Sequence, residues 1–156
     1  LPENVWPGVS VTKQPTTSRI VDLLQVDAKV RFVSCEPMLG PIDWEDAEAL
    51  GVGAETCHRG VSHATNKCDC LPAVDWIIFG GESGPNARPC NIQWIRDGVR
   101  QCKQAGVKAF VKQLGKWPYC DEPHALWQTL NALTTVDPKG GDMAEWPEDL
   151  RVREVP

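Results

Sequence analysis

The stretch Asp75-Trp-Ile-Ile-Phe-Gly-Gly-Glu-Ser-Gly84 constrains the fold more than any other part of the chain. An apolar run, Trp76 to Phe79, stops at the pair Gly80–Gly81, and a carboxylate, Glu82, follows with Ser83 behind it. A short apolar run without alternation predicts a strand buried on both faces, as in a parallel sheet. Glycines at its end let the backbone turn sharply and come close to a ligand, because no Cβ stands in the way. In parallel α/β folds, ligands sit beyond the carboxyl ends of the strands. Glu82 therefore stands where a functional carboxylate would stand. The alternative is a tight turn with a solvated Glu.

The same rhythm recurs along the chain. Val5 to Val11 predicts a strand, weakened in its first half by Pro7, which removes a ladder donor. Pro15 opens a helix with Thr16, Thr17 and Ser18 as capping candidates and Ile20, Leu23 and Leu24 on its apolar face. Lys29 to Cys35 predicts a second strand, delivering Ser34 and then Glu36 before Pro37 ends regular structure. A short acidic helix over 44–50 is expected next. After the strand at 75–80, Asn91 caps a helix running to about Ala105, with Ile92, Ile95, Val99 and Cys102 on one face and Gly106 as its C-cap. Val107 to Gln113 is the next strand, and a helix over 124–133 and an extended tail over 145–155 follow. Strands alternating with helices predict a parallel sheet with right-handed crossovers. The expected fold is α/β, built of about four parallel-strand βα units, a half or partial TIM-like barrel in one domain over residues 1–156.

Residues 51–73 break the rhythm. They hold little apolar content and read as an irregular insertion carrying Cys57, His58, His63, Cys68 and Cys70. Thiolates and imidazoles are zinc ligands, and four of these five would close a tetrahedral site. The one-residue gap between Cys68 and Cys70 departs from the usual pair spacing, so a loop with free thiols is the competing reading.

The strand ends supply the main candidate site. Ser10, Ser34, Glu36, Gly80, Gly81, Glu82, Ser83, Lys112 and Gln113 all fall at carboxyl ends of expected parallel strands and would share one rim. Two carboxylates, a lysine, an amide and hydroxyls suit a polar, zwitterionic or sugar-bearing ligand. No Walker loop and no G-x-G-x-x-G pattern is present, which argues against a phosphate cradle of those kinds. Cys35, beside Glu36, is a candidate nucleophile, but no histidine is fixed near it and His124 is the one histidine outside the insertion; a small buried thiol is the simpler reading.

Composition bounds the partners. A net charge of −5 argues against a broad nucleic-acid face. No apolar run reaches the roughly 18 residues of a membrane span. Seven cysteines without a visible secretory signal point to a reducing cytoplasm rather than a disulfide framework.

Four blocks carry a resemblance: Ser34-Cys-Glu-Pro-Met-Leu-Gly-Pro41; Val74 to Pro85 with Ala87-Arg-Pro89; Phe110-Val-Lys-Gln-Leu-Gly115; and Lys139-Gly-Gly-Asp142 through Trp146 to Arg153. With these the chain resembles the phage-associated family named after the phage products Gp thirty-seven and Gp sixty-eight, over nearly all residues except 51–73. Members of that family look like radical S-adenosylmethionine barrel proteins with an N-terminal cysteine cluster for an iron–sulfur centre. None of the seven cysteines here reproduces that closely spaced cluster. The resemblance thus implies the C-terminal half of such a barrel, S-adenosylmethionine as a ligand, an iron–sulfur cluster held outside this chain, and as partner the N-terminal barrel half. A homo-oligomer or a non-catalytic, protein-binding phage accessory module is the competing expectation.

Overall fold

The computed structural model describes residues 1–44, 61–62, 67–68, 74–121 and 135–156. Its centre is a four-stranded sheet of β1 (Gly8–Ser10), β2 (Phe32–Cys35), β5 (Trp76–Gly80) and β7 (Lys108–Gln113), in that order and all parallel. The expected α/β class with parallel βα units is therefore present, as an open sheet and not a closed barrel. Val9, Val33, Ile77 and Ala109 lie in register on one face, followed by Cys35, Phe79 and Val111 one step further along. Helices α1 (Arg19–Leu24) and α2 (Ile92–Ala105) supply Ile20, Leu23, Ile92, Ile95 and Cys102 to the same hydrophobic core. Burying side chains such as Ile77 and Phe79 contributes about 1.5–3 kcal/mol each.

The elements are shorter than the sequence pattern suggested. The first strand starts at Gly8, just after Pro7, and the second at Phe32. The segment after Lys13 forms a 3-10 turn, Gln14–Thr16, before α1 begins at Arg19. Here the Thr16 hydroxyl accepts from the amides of Thr12 and Lys13, so this Thr organises the turn rather than a long helix. In α2 both termini are as expected. The Asn91 side chain accepts from the Gln93 amide at 3.0 Å, and Gly106 takes a left-handed φ of 74°.

Three features were not legible beforehand. Within the insertion, β3 (Val61–Ser62) and β4 (Lys67–Cys68) pair antiparallel. Past the rim, β6 (Cys90–Asn91) pairs in parallel with β8 (Pro118–Tyr119). The tail is not merely extended: Arg153 bridges antiparallel to Phe110 of β7. The helices expected over 44–50 and 124–133 fall outside the described residues, apart from the buried Trp44. No helix among the described residues is long and apolar enough to cross a membrane.

The second face of the sheet sets the site. In register on it stand Phe32 and Trp76, then Ser10, Ser34, Ile78 and Phe110. Trp76 gathers the rings of Trp6, Phe32 and Phe110 around itself, at centroid distances of 6.2, 6.0 and 5.8 Å. These side chains are only partly covered, and Trp6 is 41% exposed. Both helices lie on the opposite side.

Candidate functional site at the strand ends

Glu36 and Lys112 meet at the carboxyl ends of β2 and β7, with Lys112 Nζ 3.0 Å from Glu36 Oε2. The two strands are not neighbours; β5 runs between them. Adjacent strands lie roughly 4.8 Å apart, so the pair must reach across the whole width of β5. Gly80 makes this possible. A Cβ there would stand 3.2 Å from Glu36 Cγ, so the missing side chain is the space over which the carboxylate crosses. By the two-residue alternation of strands, Lys112 shares the uncovered face with Phe110, and Glu36 continues that of Ser34. Lys112 is 56% exposed and Glu36 19%, leaving the ammonium open to solvent while the carboxylate is partly sheltered. A pair of this exposure contributes little to stability, about 0–1 kcal/mol, and remains available to a ligand.

Glu82 belongs to a second, separate arrangement. Its carboxylate accepts from Arg88 three times: from the backbone amide at 3.0 Å, from Nε at 2.6 Å and from Nη2 at 3.1 Å. These hydrogen bonds hold the carboxyl below its ordinary value, and they lift the Arg88 guanidinium in turn. Glu82 thus clips the loop 82–88 onto itself. Arg88 was legible only as part of a motif; nothing in its spacing from Glu82 announced the fork.

Backbone packing fixes the floor of the rim. The Gly81 amide donates to the Gln113 carbonyl at 3.1 Å, and the buried Gln113 side chain returns a bond to the Gly81 carbonyl at 3.0 Å. Gln113 therefore ties β5 to β7. A Cβ on Gly81 would run into the Leu114 carbonyl, and one on Gly140 into the Gly115 carbonyl. Leu114 donates to Gly140 O and Lys116 to Glu82 O, each at 2.8 Å. The loops after β5 and β7 and the distant Lys139–Asp142 turn are thus stacked backbone on backbone. Gly115 (φ 90°) and Gly140 (φ 61°) take left-handed conformations that suit this stacking.

The remaining candidates divide. Ser34 is half-buried on the uncovered face beside the ion pair's strand, while Ser10 and Ser83 are exposed. Cys35 points the other way, into the helical core. Burial, and then the neighbouring Cys102, push its thiol well up, so it stays protonated and is a core residue. Cys90 and Cys102 are likewise driven by burial to about 12. Cys57, His58, His63 and Cys70 lie outside the described residues, and Cys68 is described only as part of β4. Among the described residues no group of three or more His, Cys, Asp or Glu side chains stands together as a metal site. A cleft of about 280 Å³, lined by Pro41, Ile42, Trp94, Asp97 and Arg100, runs between α2 and the loop after β2. Neither Glu36 nor Lys112 lines it.

A family model described as a protein of unknown function, DUF5131, matches residues 1–143. The chain belongs to the DUF5131 family. No curated protein and no solved structure matches it. The match to this DUF5131 chain spans all four strands of the parallel sheet, the ion pair and the Glu82 clip.

Proposed function

We propose that this DUF5131 chain is the C-terminal, ligand-binding part of a radical S-adenosylmethionine-like barrel protein of phage type, with its ligand seated at Glu36 and Lys112. One observation carries this reading. An ion pair reaches across a glycine at the carboxyl ends of parallel strands, on the face of the sheet opposite the described helices α1 and α2. An ammonium and a carboxylate side by side recognise a zwitterion. Lys112 offers donors to a ligand carboxylate, and Glu36 accepts from a ligand ammonium. The methionyl end of S-adenosylmethionine carries both groups. Gly80 leaves the gap that Glu36 crosses, Ser34 adds a hydroxyl on the same face, and Gln113 and the Glu82 clip hold the surrounding loops. Cys35, Cys90 and Cys102 do not fit an iron–sulfur cluster, because they are buried with their thiols raised. Ligands for such a cluster would come from outside this chain.

Calorimetric titration of the reconstituted protein with S-adenosylmethionine tests it. Glu36→Gln and Lys112→Met are each expected to weaken binding at least about tenfold, equivalent to 1.4 kcal/mol. Unchanged affinity in both variants removes the pair from the site.

A second reading, a non-catalytic protein-interaction module, is favoured by the ring cluster of Trp6, Phe32, Trp76 and Phe110. Parallel sheets are ordinarily covered on both faces. Light scattering across a concentration series distinguishes the two. Association that is lost in Trp76→Ser supports an interaction face, and a monomer at every concentration counts against it.

A further inference from the structure

The two edges of the sheet are treated differently. At one edge β1 is only three residues long. At the other, β7 is six residues long, and a long edge left free templates pairing with another chain. Its inner groups bond to β5, as when Lys108 donates to Asp75 O. On the outer side, the Ala109 amide and carbonyl and the Val111 amide are taken by the segment that returns after Trp146. Val111 donates to Val152 O at 2.8 Å, and Glu154 donates to Ala109 O at 2.9 Å. The Glu154 carboxylate accepts from the Ala109 amide at 2.9 Å, and its carbonyl accepts from Trp76 Nε1 at 2.9 Å. Further along, Leu114 donates to Gly140 O. Arg153 locks the segment in place. Its guanidinium lies 5.4 Å from the Phe110 ring centre and 5.6 Å from that of Trp146, and it donates to Lys112 O at 3.3 Å.

We propose that Arg151–Glu154 is an edge plug, which seals β7 against strand pairing with a second copy of this chain. The occupant follows from the geometry. Once the plug leaves, the outward groups of Ala109 and Val111 form an antiparallel template, and β7 of a second copy matches it across a two-fold axis. Such pairing places Phe110 of each copy near the axis and joins the two sheets into one. The plug is held by few groups: Glu154 makes three of the contacts, Arg153 the rest of the side-chain clamp, and Val152 packs against the edge of the hydrophobic core.

The test uses the full chain. Arg153→Ser with Glu154→Pro removes the ring contacts, the bond to Lys112 O, the backbone donor to Ala109 O and the carboxylate on Ala109. Light scattering over rising concentration is expected to show a monomer–dimer equilibrium in this variant, shifted at least about tenfold toward dimer relative to the parent. Val155→Ser, at an exposed position beside the plug, is expected to leave the parent's behaviour unchanged. Hydrogen exchange of the unmodified chain is a second, independent readout: the Ala109 and Val111 amides are expected to exchange at least about 100-fold more slowly than free amides. A folded double variant that stays at the parent's association state overturns the proposal. So does free exchange at Ala109 and Val111 in the parent, whatever the variant does.

Discussion

At the scale of single residues, absent side chains shape this protein as much as present ones. Gly80 is the gap that Glu36 crosses, and Gly98 is the seat that brings α2 onto the sheet. A Cβ on Gly98 would press into the Phe79 ring, itself fully buried. Val99, which the helical spacing placed on the apolar face, is half-buried and packs against the core, while Gly98 makes the closest approach. Gly98→Ala is expected to destabilise the fold by about 1–3 kcal/mol through overpacking, despite alanine's better helix propensity. Urea denaturation measures this, and a stabilised variant would mean that Phe79 can move aside.

Glu82 gives a prediction with a sign. Its folded carboxyl is held below the ordinary 4.5 by the Arg88 hydrogen bonds. A group lowered on folding contributes fully above its unfolded value and loses that contribution as pH falls through the folded one. The 82–88 clip is therefore intact at neutral and mildly acid pH and opens only below about 4.5. Carboxyl-carbon NMR titration is expected to show a lower Glu82 midpoint in the parent than in Arg88→Ala. Equal midpoints would mean that the fork does not form in solution.

At the scale of elements, α2 is the best-specified piece of the chain. Its start and stop, Asn91 and Gly106, follow from side-chain chemistry that acts within a few residues. The structure adds that Asn91 also donates to Asp121 at 2.8 Å, joining the helix start to the segment just past β8. Asn91→Ala thus removes both a cap and a crosslink, and is expected to cost about 1–2 kcal/mol in thermal or urea unfolding. A loss within error would show that water replaces the cap. Gln101, on the same helix, accepts from the Trp44 amide at 2.9 Å and donates to the Ile42 carbonyl at 3.3 Å. This buried amide fixes the loop after β2, and hence the exit of the strand that carries Glu36. No local pattern predicted it, because its partners lie more than fifty residues away.

At the scale of the whole molecule, the one-sided sheet links the functional readings. Among the described residues, helices cover one face. On the other, an ion pair stands at the strand ends and an aromatic cluster below it, while the plug closes one edge. The aromatic face fits either a covering barrel half or a protein partner, which is why association and ligand titration are separate tests. The sequence by itself determined the parallel βα rhythm, the boundaries of α2 and the delivery of Glu36, Glu82, Lys112 and Gln113 to strand ends, because apolar runs, caps and breakers act over a few residues. Tertiary structure alone decided how those residues are used. Strand order puts Glu36 and Lys112 on either side of Gly80, turns Glu82 toward Arg88, buries Gln113 between strands and brings Arg153 back onto β7. Each is a contact between segments whose separation in sequence carries no periodic signal, so only the packed sheet could select it.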